Sequence, residues 1–213
     1  NILYQSFVNT FGEEGNVIVI AVEDATFFSP KKRNAWRQLN DSITAFKEIN
    51  FVLSIDNLQE LTKDTQTESF KLETVKLTAA KDSLGLLKFK QKLFLELPFY
   101  NNLIYNSETN TIRTLIYMDP DIVNTAARKD FIFKTFIPLI EAFEEDAQMD
   151  VRVSGMPYIR TLNAQNIVDE IGLFILGATL ITSLIFFLFF RSFRATLISL
   201  IVVAVGVMWA FGI

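Results

Sequence analysis

The sequence predicts an α+β domain followed by an α-helical membrane hairpin, and three observations carry that reading. Two apolar runs, Ile171 to Phe190 and Ala195 to Ile213, fill the last quarter of the chain. They are separated only by Arg191-Ser192-Phe193-Arg194. The residues before them alternate short β-branched runs with segments of helical period, twice in the same order. The first apolar run holds no charged side chain and, at about 1.5 Å per helical residue, reaches about 30 Å, the thickness of a bilayer's hydrocarbon core. The second is interrupted only by Thr196 and Ser199 and reads as another span.

Taken in order, Asn16 to Val22 is a β-branched run, apolar on both faces as a covered central strand would be. Ser29-Pro30 then supplies an N-cap and a first-turn proline, and Trp36, Leu39, Ile43 and Phe46 recur at helical spacing. Phe51 to Ile55 reads as a strand. The order returns with a strand at Thr111 to Met118, stopped by Asp119-Pro120. A helix follows from Asn124 to Ala147, with Phe133, Phe136, Ile137, Ile140 and Phe143 on its inner side, then a short strand at 151–153. Two β-α-β units in tandem predict a two-layer α+β sandwich of the ferredoxin-like kind.

Between the units, Leu58 to Ser69 is polar and reads as loop, and Phe70 to Leu77 as a short strand or helix. Leu84 to Leu97 is strongly apolar, with Lys88, Lys90 and Lys92 at alternate positions. It reads either as an amphipathic helix whose lysine stems snorkel at a membrane surface or apolar ligand, or as core packed under the sheet. From Tyr158 nothing breaks a helix before Ile171, so the soluble domain (1–157) is expected to join the first span (171–190) through a stiff helical connector (158–170). A turn (191–194) and the second span (195–213) complete the organisation.

Composition narrows the functions. The chain has no Cys and no His, so disulfides, thiolate nucleophiles and the commonest zinc ligands are absent and no nucleophile–base pair can be assembled. Neither enzymatic activity nor a cofactor is expected. With 20 basic and 24 acidic residues intermixed, there is no basic stripe for nucleic acid. Arg191 and Arg194, with no acid beside them, place the turn between the spans in the cytoplasm and residues 1–170 outside it. The absence of an initiating Met and an end inside an apolar run read as a piece of a longer membrane protein.

A β-α-β/β-α-β domain ending in Val151-Arg-Val-Ser-Gly-Met-Pro157, a helix running into a span, and then FLFFRSFRATLISL resembles the resistance-nodulation-division superfamily. More narrowly it is similar to mycobacterial-large-protein-like and Patched-like members, in which a short basic turn of the F-R-S-x-R type joins spans two and three. The resemblance implies an extracytoplasmic porter domain and two spans of a multi-pass bacterial inner-membrane exporter, which couples proton entry to efflux of lipids, drugs or other amphiphiles. It implies membrane lipids, an apolar or amphiphilic substrate and the remaining spans of the same protein as partners, leaves open whether the chain forms a homo-oligomer, and places the proton-relay carboxylates of the fourth span beyond this sequence. A sterol- or lipid-sensing receptor, a protein-secretion auxiliary of the same fold, and a membrane-anchored interaction module are the alternatives.

Candidate site residues are few. Gly172, Thr179, Thr182 and Ser183 form a small, hydroxyl-bearing stripe on the first span, suited to close helix packing or to lining a lipid groove. Glu141, Glu144, Glu145, Asp146 and Asp150 crowd the end of the second helix and read as a solvated face, and Asp119-Pro120-Asp121 as a strand stop. Glu23-Asp24 directly follows a strand, where binding residues often sit. Of the 21 phenylalanines, Phe143, Phe174, Phe186, Phe187, Phe189, Phe190, Phe193 and Phe211 are accounted for by membrane or core burial, and no pocket is assigned from the rest.

Overall fold

Alternating β-branched residues draw Val17–Glu23 into an extended strand, β1, in the computed structural model, which describes residues 15–64, 69–75 and 83–211. Ile18, Ile20 and Val22 are buried, while Val17, Val19 and Ala21 are half-buried. β1 is therefore central but covered fully on one face only, a correction to the two-sided burial expected of it.

Helix α1 (Pro30–Thr44) starts where proline presets the helical φ, and it buries Trp36, Leu39 and Ile43 together with Arg33 and Asn40. Ser29 holds the N-cap position, but its side chain makes no capping bond. Strand β2 (Ile49–Leu53) begins and ends two residues before the expected strand. Asn57 ends it: its Oδ1 accepts from the Ser54 N–H at 2.8 Å and its amide donates to the Val52 carbonyl at 2.5 Å, closing a turn where the strand would have continued.

The stretch expected to be loop is instead strand β3 (Gln59–Asp64), paired antiparallel with β4 (Ser69–Thr74) in a separate two-stranded sheet. Cross-strand pairs such as Leu61 with Leu72 outweigh a polar composition that argued against a strand. Residues 65–68, 76 and 77 of the two expected segments lie outside the described residues. Helix α2 (Ser83–Glu96) and a short strand β5 (Tyr105–Asn106) complete the insertion between the two β-α-β units.

Strand β6 (Thr111–Met118) has the expected bounds and alternates strictly, burying Ile112, Thr114, Ile116 and Met118. Asp119 then caps a short helix, α3 (Pro120–Val123), by accepting the Asp121 N–H at 2.8 Å. The long helix expected next is divided into α4 (Ala126–Phe131), a π-helical turn (Ile132–Phe136) and α5 (Ile137–Ala147). Pro138 lacks an N–H to donate to the preceding turn and sits in the first turn of α5, and the π turn ends two residues before it. The wider turn rotates the inner face, so that Phe131, Ile132, Phe136, Ile140 and Ala147 are buried while Phe133, Ile137 and Phe143 are only half-buried.

Strand β7 (Val151–Ser154) leads through Gly155 into α6 (Met156–Phe190), and α7 (Phe193–Phe211) follows. The main sheet has the order β2-β6-β1-β7, with β1 antiparallel to β6 and β7, and β2 antiparallel to β6. β5 pairs with the start of β6, extending the edge where β2 ends. Each β-α-β unit is thus split, one strand of the other unit lying between its own two or beside them. The buried stripes of α1, α4 and α5 join the buried sheet face in one core, where Trp36 meets Phe143 edge-on at 5.8 Å. Each fully buried Ile or Leu of this core contributes about 1.5–3 kcal/mol.

The chain divides into two compact units, Asn1–Thr161 and Leu162–Ile213. Among the described residues one helix, α6, is long and apolar enough to cross a membrane. The apolar stretch Phe193–Gly206 of α7 is shorter. The link between the two helices is Arg191-Ser192 rather than four residues. Arg191, at a φ of +48°, ends α6, and the Ser192 carbonyl accepts from both the N–H and the hydroxyl of Thr196 at 3.1 Å, so the next helix begins at Phe193.

Candidate functional site

The β1–α1 connection carries two adjacent phenylalanines, the second of which meets two rings and a lysine of α2. Phe27 is fully buried against Trp36, while Phe28 is half-buried and meets Phe89 and Phe94 of α2 edge-on at 5.9 and 5.8 Å. Phe94 stacks on Tyr105 of β5 at 5.0 Å. The Lys90 ammonium lies 5.5 Å from the ring centres of both Phe28 and Phe94, and the Arg33 guanidinium 5.5 Å from that of Phe89. Tyr105 donates its hydroxyl to the Leu97 carbonyl at 3.1 Å, and burial pushes its pKa above the ordinary phenol value.

Two ion pairs frame this cluster. Arg33, 7% exposed, contacts both carboxylate oxygens of Asp56, at 2.5 and 3.3 Å. Asp24 accepts from Lys32 at 2.5 Å and from the Thr26 N–H and hydroxyl at 2.7 Å. Burial pushes the Asp24 carboxyl up, but the hydrogen bonds from Lys32 and Thr26 and the Lys32 charge outweigh it, leaving the pKa below 3.8. Asp24 thus serves its own turn and the start of α1. Its neighbour Glu23 lies 3.4 Å from Arg152 across the β1–β7 pair.

Outside this cluster, the sequence candidates do not converge. Glu144 accepts the Val151 N–H at 2.6 Å, joining α5 to β7, whereas Glu141, Glu145, Asp146 and Asp150 are exposed. Among the described residues no group of three or more carboxylates is placed to hold a metal. On α6, Thr182 and Ser183 are half-buried, while Gly172 and Thr179 are exposed, and a Cβ at Gly172 would meet nothing within 4 Å. Arg191 and Arg194 are both exposed.

No family model, curated protein or solved structure matches this chain.

The residues that sequence reading left unassigned are Phe28, Phe94, Arg33 and Asp56. The Phe27-Phe28 pair beside Glu23-Asp24 was a local signal for the first. The Arg33–Asp56 pair joins positions 23 residues apart, and no periodicity marks it. Chemically, the cluster presents half-buried aromatic faces with an ammonium across them, a surface compatible with amphiphiles.

Proposed function

We propose that the chain is the ferredoxin-like porter domain, with its following membrane hairpin, of a proton-driven exporter of apolar or amphiphilic substrates in the resistance-nodulation-division superfamily. One observation carries the reading: two split β-α-β units, in the sheet order β2-β6-β1-β7, end in a strand that leads through a single glycine into a helix of membrane-spanning length. The tandem units support the porter fold, and α6 supports the anchor. Arg191 and Arg194, with no acid beside them, support a cytoplasmic turn and with it an extracytoplasmic porter domain; the bacterial inner membrane and the multi-pass topology come with the resemblance. The domain's role is to pass substrate toward the exit while the remaining spans of the same protein relay protons.

Export of a panel of fluorescent amphiphiles from cells carrying the full-length gene, with and without a protonophore, tests the proposal. Efflux that stops when the proton gradient collapses is the expected result. Amphiphile retention unaffected by the gradient overturns it in favour of a lipid-sensing or interaction role.

A further inference from the structure

Helix α2 carries large apolar residues on its outer side as well as its inner side. At 100° per residue, Leu86, Phe89, Leu93 and Leu97 form one stripe, and all four are buried in or against the core. Leu84, Leu87, Lys88, Gln91 and Leu95 occupy the opposite arc, and all are exposed. Leu84 is 64%, Leu87 63% and Leu95 71% exposed, and Phe99, just beyond the helix, 80%. An exposed stripe of three leucines and a phenylalanine marks a surface that meets an apolar partner.

The charges on α2 select the partner. The helix carries Lys88, Lys90 and Lys92, and its one acid, Glu96, is its last residue, outside the leucine arc. Lys92, paired with Glu60 at 3.1 Å, and Lys90, over Phe28 and Phe94, hold the two flanks of the helix against the domain. Lys88 is exposed inside the leucine arc itself. Lysine is depleted from the centres of protein–protein interfaces, whereas an exposed leucine arc that holds a lysine and no acid is suited to the anionic headgroup region of a bilayer. We infer that the outer face of α2, with Phe99, docks on an anionic lipid surface, the leucines entering the acyl boundary and Lys88 reaching lipid phosphates. The inference rests on the membrane-anchored part of the proposed function.

The chain has no cysteine, so single-site labels can be placed without background. A Leu87→Cys variant of the full chain, carrying an environment-sensitive fluorophore, is reconstituted in vesicles of phosphatidylcholine alone or of equal parts phosphatidylcholine and phosphatidylglycerol. An Ile181→Cys variant on α6 serves as reference. The expected result is quenching of the Leu87 label by acyl-chain spin-labelled lipid in the anionic vesicles, weakened at least about fivefold by Lys88→Glu and by high salt. A Leu87 label open to aqueous iodide and untouched by lipid quencher, while the Ile181 label is quenched, overturns the inference and leaves the span intact. Shielding from both quenchers in both vesicle types also overturns it, assigning the face to protein instead. An Ile181 label untouched by lipid quencher reports failure of the membrane span itself.

Discussion

A Cβ atom on Gly155 would stand 2.2 Å from the carbonyl oxygen of Val17 and 2.8 Å from the Cα of Ile18. The last residue of β7 is followed by a backbone that presses directly onto the first residues of β1, and its φ of +117° is one that residues with a side chain rarely adopt. Glycine is therefore required twice over, by conformation and by space. This gives the Ser154-Gly155-Met156 stretch a physical meaning: it lets the sheet end and α6 begin within one residue.

Replacing Gly155 with alanine is expected to destabilise the domain by about 3 kcal/mol or more, since the added carbon must displace main chain rather than a flexible side-chain end. Gly15, at φ +86°, has more room, a Cβ there meeting only Met156 at 3.6 Å. Gly15→Ala therefore costs less, about 1 kcal/mol from backbone strain alone. Urea unfolding of the detergent-solubilised chain compares the two. Equal costs would mean that close contact with Val17 is not what Gly155 relieves.

The Arg33–Asp56 pair holds α1 to the turn after β2, and Arg33 Nε, buried, has no hydrogen-bond partner in the structure. Asp56 is then the main compensation for a guanidinium largely out of water. Asp56→Asn is expected to cost about 2 kcal/mol, below the range for a fully buried pair because the Asp56 side chain keeps 23% exposure. Adding Arg33→Met, which keeps the apolar contact with Phe89 but removes the charge, should recover most of that loss. A double-mutant cycle on unfolding free energies measures this, and strict additivity would show that the two charges do not act as a pair.

Asp24 supplies a pH dependence whose sign follows from its depressed pKa. A carboxyl that is more acidic folded than unfolded adds stability while both states are ionised, and loses that contribution as pH falls below 3.8 through the folded value. The stability difference between the native chain and Asp24→Asn, under about 1 kcal/mol for a pair near the surface, should be constant above about pH 5 and shrink on acidification. Unfolding curves across that interval test it. A difference that grows as pH falls would contradict the assignment of Lys32 and Thr26 as the dominant partners.

The elements most legible in the sequence were those with a strong period of their own. β6 is apolar or small at alternate positions over eight residues, and its expected bounds agree with the structure. Trp36, Leu39 and Ile43 identified the buried face of α1. β3 has no periodic signal, while β4 falls within the segment read as a short strand or helix; Leu61, Phe70 and Leu72 are all more than 60% exposed, and pairing between the strands rather than burial holds them. The π turn was missed because its effect is a shift of register, which a window of helical period averages away.

The sequence by itself determined which residues turn inward along β6 and α1 and that α6 is long and apolar enough for a bilayer, because both follow from local spacing and composition. Only the tertiary structure decided the strand order, the seating of Gly155 against Val17, the pairing of Arg33 with Asp56, and which of the two apolar faces of α2 stays open. Those depend on contacts between segments far apart in the chain. A periodic pattern states that a face seeks an apolar neighbour, but which neighbour it finds is set by the packing of the whole core.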